Sequence, residues 1–150
     1  MATNHIVEMS YKIKDYMDKE FPIVDSNATA FDAAEILSKT EHGYIIVLDK
    51  GKPVGILTER DLVTKVIANK TNPGEISVSS IMSSPLISID PDEDLMKASE
   101  LMVKKGIRRL AVMKNDIIYG VITSQIIASR CGDYVEKSVR DIIRWSIPPY

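Results

Sequence analysis

Thr58 and Asp61 stand three positions apart in the stretch Gly55-Ile56-Leu57-Thr58-Glu59-Arg60-Asp61. The apolar run Pro53 to Leu57 reads as a strand, and a helical pattern of Leu62, Val63, Val66 and Ile67 begins just after it. A hydroxyl at that junction lies beside the first free amides of a helix, a place that favours an anion. A carboxylate one turn on lies on the same helix face. Phosphate at Thr58 and a sugar diol at Asp61 would make a nucleotide cradle. The same two residues also spell a capping box, with Asp61 in the place of the usual Glu. Gly55 lets either a ligand or another backbone come close.

No other spacing points to chemistry of its own. A Ser/His/Asp set, a His or Cys cluster for a metal and a GxxxxGK[ST] phosphate loop are all missing from the sequence. His5 and His42 are the only histidines, and the carboxylates are many but not singled out by spacing. The reading is therefore not an enzyme, with no metal and no cofactor.

The 150 residues suffice for one domain or two small halves sharing a core. A net charge of −2 does not support a general nucleic-acid surface. Cys131 is the only cysteine, so no internal disulfide forms, which fits a reducing, cytoplasmic setting. No N-terminal stretch reads as a signal peptide, and no apolar run approaches the roughly 20 residues of a membrane helix.

The elements that must position Thr58 and Asp61 follow from the order of the chain. Apolar beats at Ile6, Val7, Ile13, Tyr16 and Met17 suggest a frayed start and a short helix ending near Lys19. Phe21 to Val24 reads as a strand, and Phe31, Ala34, Ile36 and Leu37 as a helix that stops before Gly43. Tyr44 to Leu48 is a buried strand, and Asp49 to Lys52 a hairpin turn into the next. A helix from about Glu59 to Asn69 precedes a linker signal at Thr71-Asn72-Pro73-Gly74.

The pattern then returns without a gap at a spacing of 65 residues, from Met17 to Met82. Asp25 meets Asp90, Ala33 meets Ala98, Val47 meets Val112, Gly55 meets Gly120 and Thr58 meets Thr123. Such a register marks a duplicated structure. Neither copy, at about 60 residues, buries enough alone, so the two should pack face to face about a pseudo-twofold axis, leaving symmetric clefts between them. The units expected are residues 1–72, residues 73–131, and a tail, 132–150, whose Val135, Val139, Ile142 and Ile143 have helical spacing.

Read together, Gly55 to Leu62, Gly106 to Val112, Gly120 to Thr123 and Asp90 to Leu95 resemble a pair of CBS domains, a Bateman module. The resemblance covers Ile13 to Cys131 and is that of a stand-alone pair. It implies an α/β (α+β) fold of two tandem β-α-β-β-α repeats, small sheets packed against helices, and a flat homodimer. It also implies a sensor of AMP, ADP or ATP whose ligand joins Ile56, Thr58 and Asp61 to Leu86, Ile87, Ile107, Arg108 and Arg109. Arg108 and Arg109 are adjacent at a strand start, so at least one can turn a guanidinium toward phosphate oxygens. A second site, with Pro22, His42, Gly43 and Thr123, departs from the pattern because Ile126 replaces the carboxylate. Losing such a hydrogen-bonded acid costs on the order of 2 to 3 kcal/mol, or about 100-fold in affinity. That site is expected to be weak, empty or tuned to another ligand, and His42 also reads as an ordinary helix-end residue.

Three rival roles remain at this level: a ligand-free assembly or partner-docking module, an S-adenosylmethionine binder, and a nucleic-acid binder. The sequence names no protein partner, and a membrane role is not indicated.

Overall fold

The computed structural model describes residues 11–131 and Arg144. The helical reading of 132–150 and the apolar beats at Ile6 and Val7 lie outside the described residues. A single 3-10 turn, Ile13–Asp15, leads into β1 (Ile23–Asp25), α1 (Ala30–Ser38), β2 (Tyr44–Asp49) and β3 (Lys52–Thr58). Then come α2 (Glu59–Asp61), a π-helical turn (Leu62–Ile67), and α3 (Val78–Ile81). The second half adds β4 (Ser88–Ile89), α4 (Leu95–Lys105), β5 (Arg109–Lys114), β6 (Ile117–Thr123) and α5 (Ser124–Cys131).

The continuous apolar runs become the central strands because both of their faces are covered. The first four residues of β2 are all buried. β1 pairs with β2 in parallel and β3 with β2 antiparallel, and β4, β5 and β6 repeat the arrangement. Both hairpins close on two residues with positive φ, Lys50 and Gly51 in one, Asn115 and Asp116 in the other, the turn that matches strand twist. The duplication reaches the irregularities: the register slips between Val47 and Leu48 in one sheet, and between Val112 and Met113 in the other. The fold is thus the expected α+β pair of repeats.

Helix starts carry their own chemistry. Thr29 and Asp32 form a reciprocal capping box at α1, and Asp94 accepts from the Met96 amide at α4. Gly106, at φ 64°, ends α4 in the left-handed conformation that favours glycine.

Three expectations are corrected. The helix ending near Lys19 is only the turn Ile13–Asp15, because the amides of Ile13 and Lys14 donate across to the carbonyls of Glu93 and Pro91. The strand expected at Phe21 to Val24 lies instead at Ile23–Asp25, the part that pairs with Ile46 to Leu48. The helix after Thr58 leaves α geometry at Leu62: the Ala68 amide reaches the Val63 carbonyl, while the Thr64 hydroxyl occupies the Arg60 carbonyl at 2.8 Å. A hydroxyl competing for that carbonyl, amid β-branched Val63, Thr64, Val66 and Ile67, accounts for the widened turn.

The two packing units do not follow the order of the chain. Val78 and Ile81 of α3 sit in the core of the first half with Leu37, Ile45, Leu57 and Val66. Ile13, from the opening turn, sits in the core of the second half with Leu95, Met102, Leu110 and Ile122. Each crossing is fixed by backbone: Ser83 bridges Ile56, and Asp18 bridges Val121. Gly55 and Gly120 are where these crossings touch the sheets. A Cβ on Gly55 would stand 2.8 Å from the Ser83 carbonyl oxygen, and one on Gly120 would stand 2.7 Å from that of Asp18. The close approach foreseen at Gly55 is therefore that of a backbone. A third cluster of Tyr44, Ile46 and Val121 joins the two sheets at the middle.

Candidate functional site

The crossings create two unequal cavities. The larger, of about 700 Å³, lies between β3 with its helix start and the segment that leads into β4. That volume falls in the range of ligand pockets. Ile56 and Thr58 line one wall, Leu86 and Ile87 another, and Ile107, Arg108 and Arg109 a third. The structure thus gathers these expected residues at one cavity. Gly43, Glu59, Arg60, Ser83, Pro85 and Gly106 join them, none foreseen for this site.

Asp61 does not line the cavity. Its Oδ2 accepts from the Thr58 amide at 2.9 Å and from the Thr58 hydroxyl at 3.1 Å, while the Asp61 amide donates back to Thr58 Oγ1. Its Oδ1 pairs with Lys65 Nζ at 3.0 Å, and the side chain is 13% exposed. Lys65 also donates to the Ile81 carbonyl at 2.9 Å, tying this helix to α3. Of the two sequence readings of Thr58 and Asp61, the capping box is the one present. The helix start is also less open to an anion than expected, since the Glu59 amide already donates to the Gly43 carbonyl at 3.1 Å.

Positive charge fills the place that the closed helix start leaves. Arg108 and Arg109 both line the cavity, because Arg108 precedes the first residue of β5 and escapes strict strand alternation. Neither side chain makes a hydrogen bond or ion pair with a described residue; the Arg109 guanidinium stands 5.5 Å from the centre of the Tyr44 ring. Burial, and then the neighbouring charge of Arg108, push the pKa of Arg109 below its usual value, with Tyr44, Glu59 and Asp61 pulling the other way. A guanidinium stays charged in proteins, so the partly desolvated Arg109, crowded by the charge of the exposed Arg108, forms a site that an anion would relieve.

The smaller cavity, about 280 Å³, is lined by Asp18, Glu41, His42, Tyr44, Thr123, Gln125, Ile126 and Ser129. His42 and Thr123 are where the second site was expected; Pro22 and Gly43 are not among the lining residues. The Pro22 carbonyl instead accepts from the Ile46 amide, and Gly43 lines the larger cavity. His42 is more than a helix-end residue: its Nε2 meets Asp18 Oδ2 at 2.6 Å. Thr123 Oγ1 accepts from the Ile126 amide, so the cap persists without an acid. Asp18, Glu41, Tyr44, Gln125 and Ser129 were not foreseen. Carrying the 65-residue spacing across the whole lining finds most of them, because Ser83, Gly106, Arg109 and Arg60 correspond to Asp18, Glu41, Tyr44 and Gln125.

The family model for the CBS domain matches residues 13–68 and again residues 78–131. The chain belongs to the CBS-domain family, as a tandem pair, and is a protein of the regulatory-module kind. It is 45% identical over 98 residues to uncharacterized protein MK0525 of Methanopyrus kandleri, covering 62% of this chain and 50% of that protein. It is 33% identical over 110 residues to the CBS domain-containing protein YhcV of Bacillus subtilis, covering 73% of this chain and 78% of that one. The chain thus spans only half of the first relative. Among solved structures, a hexameric CBS-CP12 protein from bloom-forming cyanobacteria superposes with a TM-score of 0.77 at 25% identity, over 91% of this chain and 78% of that chain. Among the described residues, no helix is long and apolar enough to cross a membrane, and no group of three or more His, Cys, Asp or Glu is placed to hold a metal.

Proposed function

We propose that the larger cavity binds an adenine nucleotide, AMP, ADP or ATP, and that the chain is a regulatory sensor without catalytic activity, acting in the cytoplasm. The observation that carries this reading is the pair Arg108 and Arg109, whose side chains form no ion pair with a carboxylate among the described residues and which both line a cavity whose other walls include Ile56, Leu86, Ile87 and Ile107. Phosphate oxygens take the guanidinium fork, and the apolar walls take the base. Thr58 lines the same space. Asp61 serves as the cap that holds Thr58, with its Oδ1 on Lys65, and acts on the ligand only through Thr58.

Binding would bridge the β3 side, from the first half, and the β5 start, from the second. A ligand that prefers one arrangement of the halves shifts the population toward it, and a partner protein or a second copy of the chain reads the change. Self-association is supported by the hexameric relative and by the apolar side chains of Phe31, Val63 and Ile67, which are half or more exposed. Pure assembly is the rival that this observation favours. Thermal unfolding with AMP, ADP, ATP and S-adenosylmethionine separates the two: a ligand at 100 times its Kd adds about 2.7 kcal/mol. A shift with a nucleotide supports the sensor, a shift with S-adenosylmethionine alone changes the ligand, and no shift with any leaves assembly.

A further inference from the structure

We infer that Tyr44 is a positioning residue of the larger cavity: its ring carries the Arg109 guanidinium at the cavity wall and leaves the N–H groups free for the phosphate of the ligand. The inference rests on the nucleotide reading of that cavity. Burial alone would make Tyr44 a core residue, since it is 2% exposed and packs with Ile46 and Val121. What sets it apart is the cation it holds. The Arg109 guanidinium stands 5.5 Å from the ring centre, while Arg109 itself lines the larger cavity. A partly buried guanidinium ordinarily takes a carboxylate or a carbonyl as its partner, and each such bond occupies a donor. A ring attracts the cation through its π face and occupies no donor edge.

The carboxylate for an ordinary pair is at hand and is not used. Arg109 Nη2 and Glu59 Oε2 both come within 3.8 Å of the point where a Cβ on Gly43 would stand, yet the two residues form no ion pair. Tyr44 is itself fixed: it lies opposite Thr58 in the β2–β3 ladder, and the His42 ring meets it edge-on at 5.4 Å and 89°. Its hydroxyl has no hydrogen-bond partner among the described residues, so the ring is the part that acts on Arg109. The duplication gives this pair a reason. Tyr44 and Arg109 hold the same place in the two repeats, Tyr44 opposite Thr58 and Arg109 opposite Thr123. Identical copies would set two arginines or two tyrosines against each other where the sheets meet. A cation on a ring replaces that repulsion with attraction. It also gives the anion-binding side chain to one cavity alone, because Arg109 lines the larger and Tyr44 the smaller.

The test is calorimetric titration of the full chain, and of variants at position 44, with AMP, ADP and ATP in turn. Tyr44→Phe keeps the ring and should bind as wild type does. A ring-fluorinated phenylalanine at this position keeps the shape but depletes the π face, and should weaken the nucleotide. Tyr44→Leu removes the ring and should weaken it roughly 3- to 30-fold. The fluorinated ring preserves the packing, so its result stands even where Tyr44→Leu melts early. In an Arg109→Ala background all three should bind alike, which a merely structural role for Tyr44 would not produce. Binding by wild type that the fluorinated ring leaves unchanged, or an equal loss with and without Arg109, would overturn this inference alone. No binding of any of the three nucleotides by wild type would overturn the nucleotide reading, and this inference with it.

Discussion

Gly55 and Gly51 separate what a glycine does by contact from what it does by conformation. A Cβ at Gly55 would press on the Ser83 carbonyl at 2.8 Å, whereas one at Gly51 meets nothing within 4 Å. Gly55→Ala should cost about 1–3 kcal/mol in chemical denaturation, as overpacking against backbone does. The same change at Gly51, whose φ is +78°, should cost less, through φ alone. Thr58 and Asp61 act as one unit, so Thr58→Ala and Asp61→Ala should each cost about 0.5–2 kcal/mol and the double variant less than their sum. Additive losses in a double-mutant cycle would deny the cap. The sequence held both readings of these residues, and only geometry could choose: the choice turns on whether the carboxylate faces its own helix or a cleft. That Arg108 and Arg109 line one cavity with Thr58 was foreseen through the resemblance, while their position at a strand start said only that at least one could turn toward the cleft. Asp18 and Glu41 were not foreseen, because nothing local distinguishes a cleft acid from a solvated one.

Among the elements, the strands and hairpins were readable because burial on both faces writes continuous apolar runs and each turn has residues suited to positive φ. The opening segment was not readable. Its apolar beats serve a core that includes Leu95, 82 residues after Ile13, rather than a helix of its own. One electrostatic tie of that segment is Asp92, which meets Lys14 at 3.0 Å and Lys114 at 3.3 Å. The hydrogen bond from Lys14, and then that from Lys114, hold the Asp92 carboxyl below its ordinary value. A lowered folded-state value means that the contribution is complete at neutral pH and lost as pH falls through the acid range. The group is exposed, so the effect is small and screened by salt. The melting-temperature difference between wild type and Asp92→Asn should therefore shrink between about pH 7 and about pH 3, and in about 1 M salt. A difference constant across these conditions would place the effect in packing instead.

At the scale of the whole molecule, the crossed segments make the halves depend on each other. Ile13 is fully buried in the second half's core and Val78 in the first. Ile13→Ala should cost about 2–5 kcal/mol and lower one cooperative transition rather than melt a half by itself. Two resolved transitions in calorimetry would contradict that dependence. The same crossing brings the start of β5 against the end of β3, so the larger cavity exists only in the joined molecule. The duplication was legible because its spacing is ungapped, but the exchange of segments leaves no trace in one copy read alone.

The most direct test is calorimetric titration of the full chain with AMP, ADP and ATP in turn. One nucleotide bound per chain, with the affinity falling roughly 10- to 100-fold in Arg108→Ala and in Arg109→Ala, is the result predicted from losing a charge-assisted contact. Two equal sites, affinity unchanged by either substitution, or no binding of any of the three would contradict it.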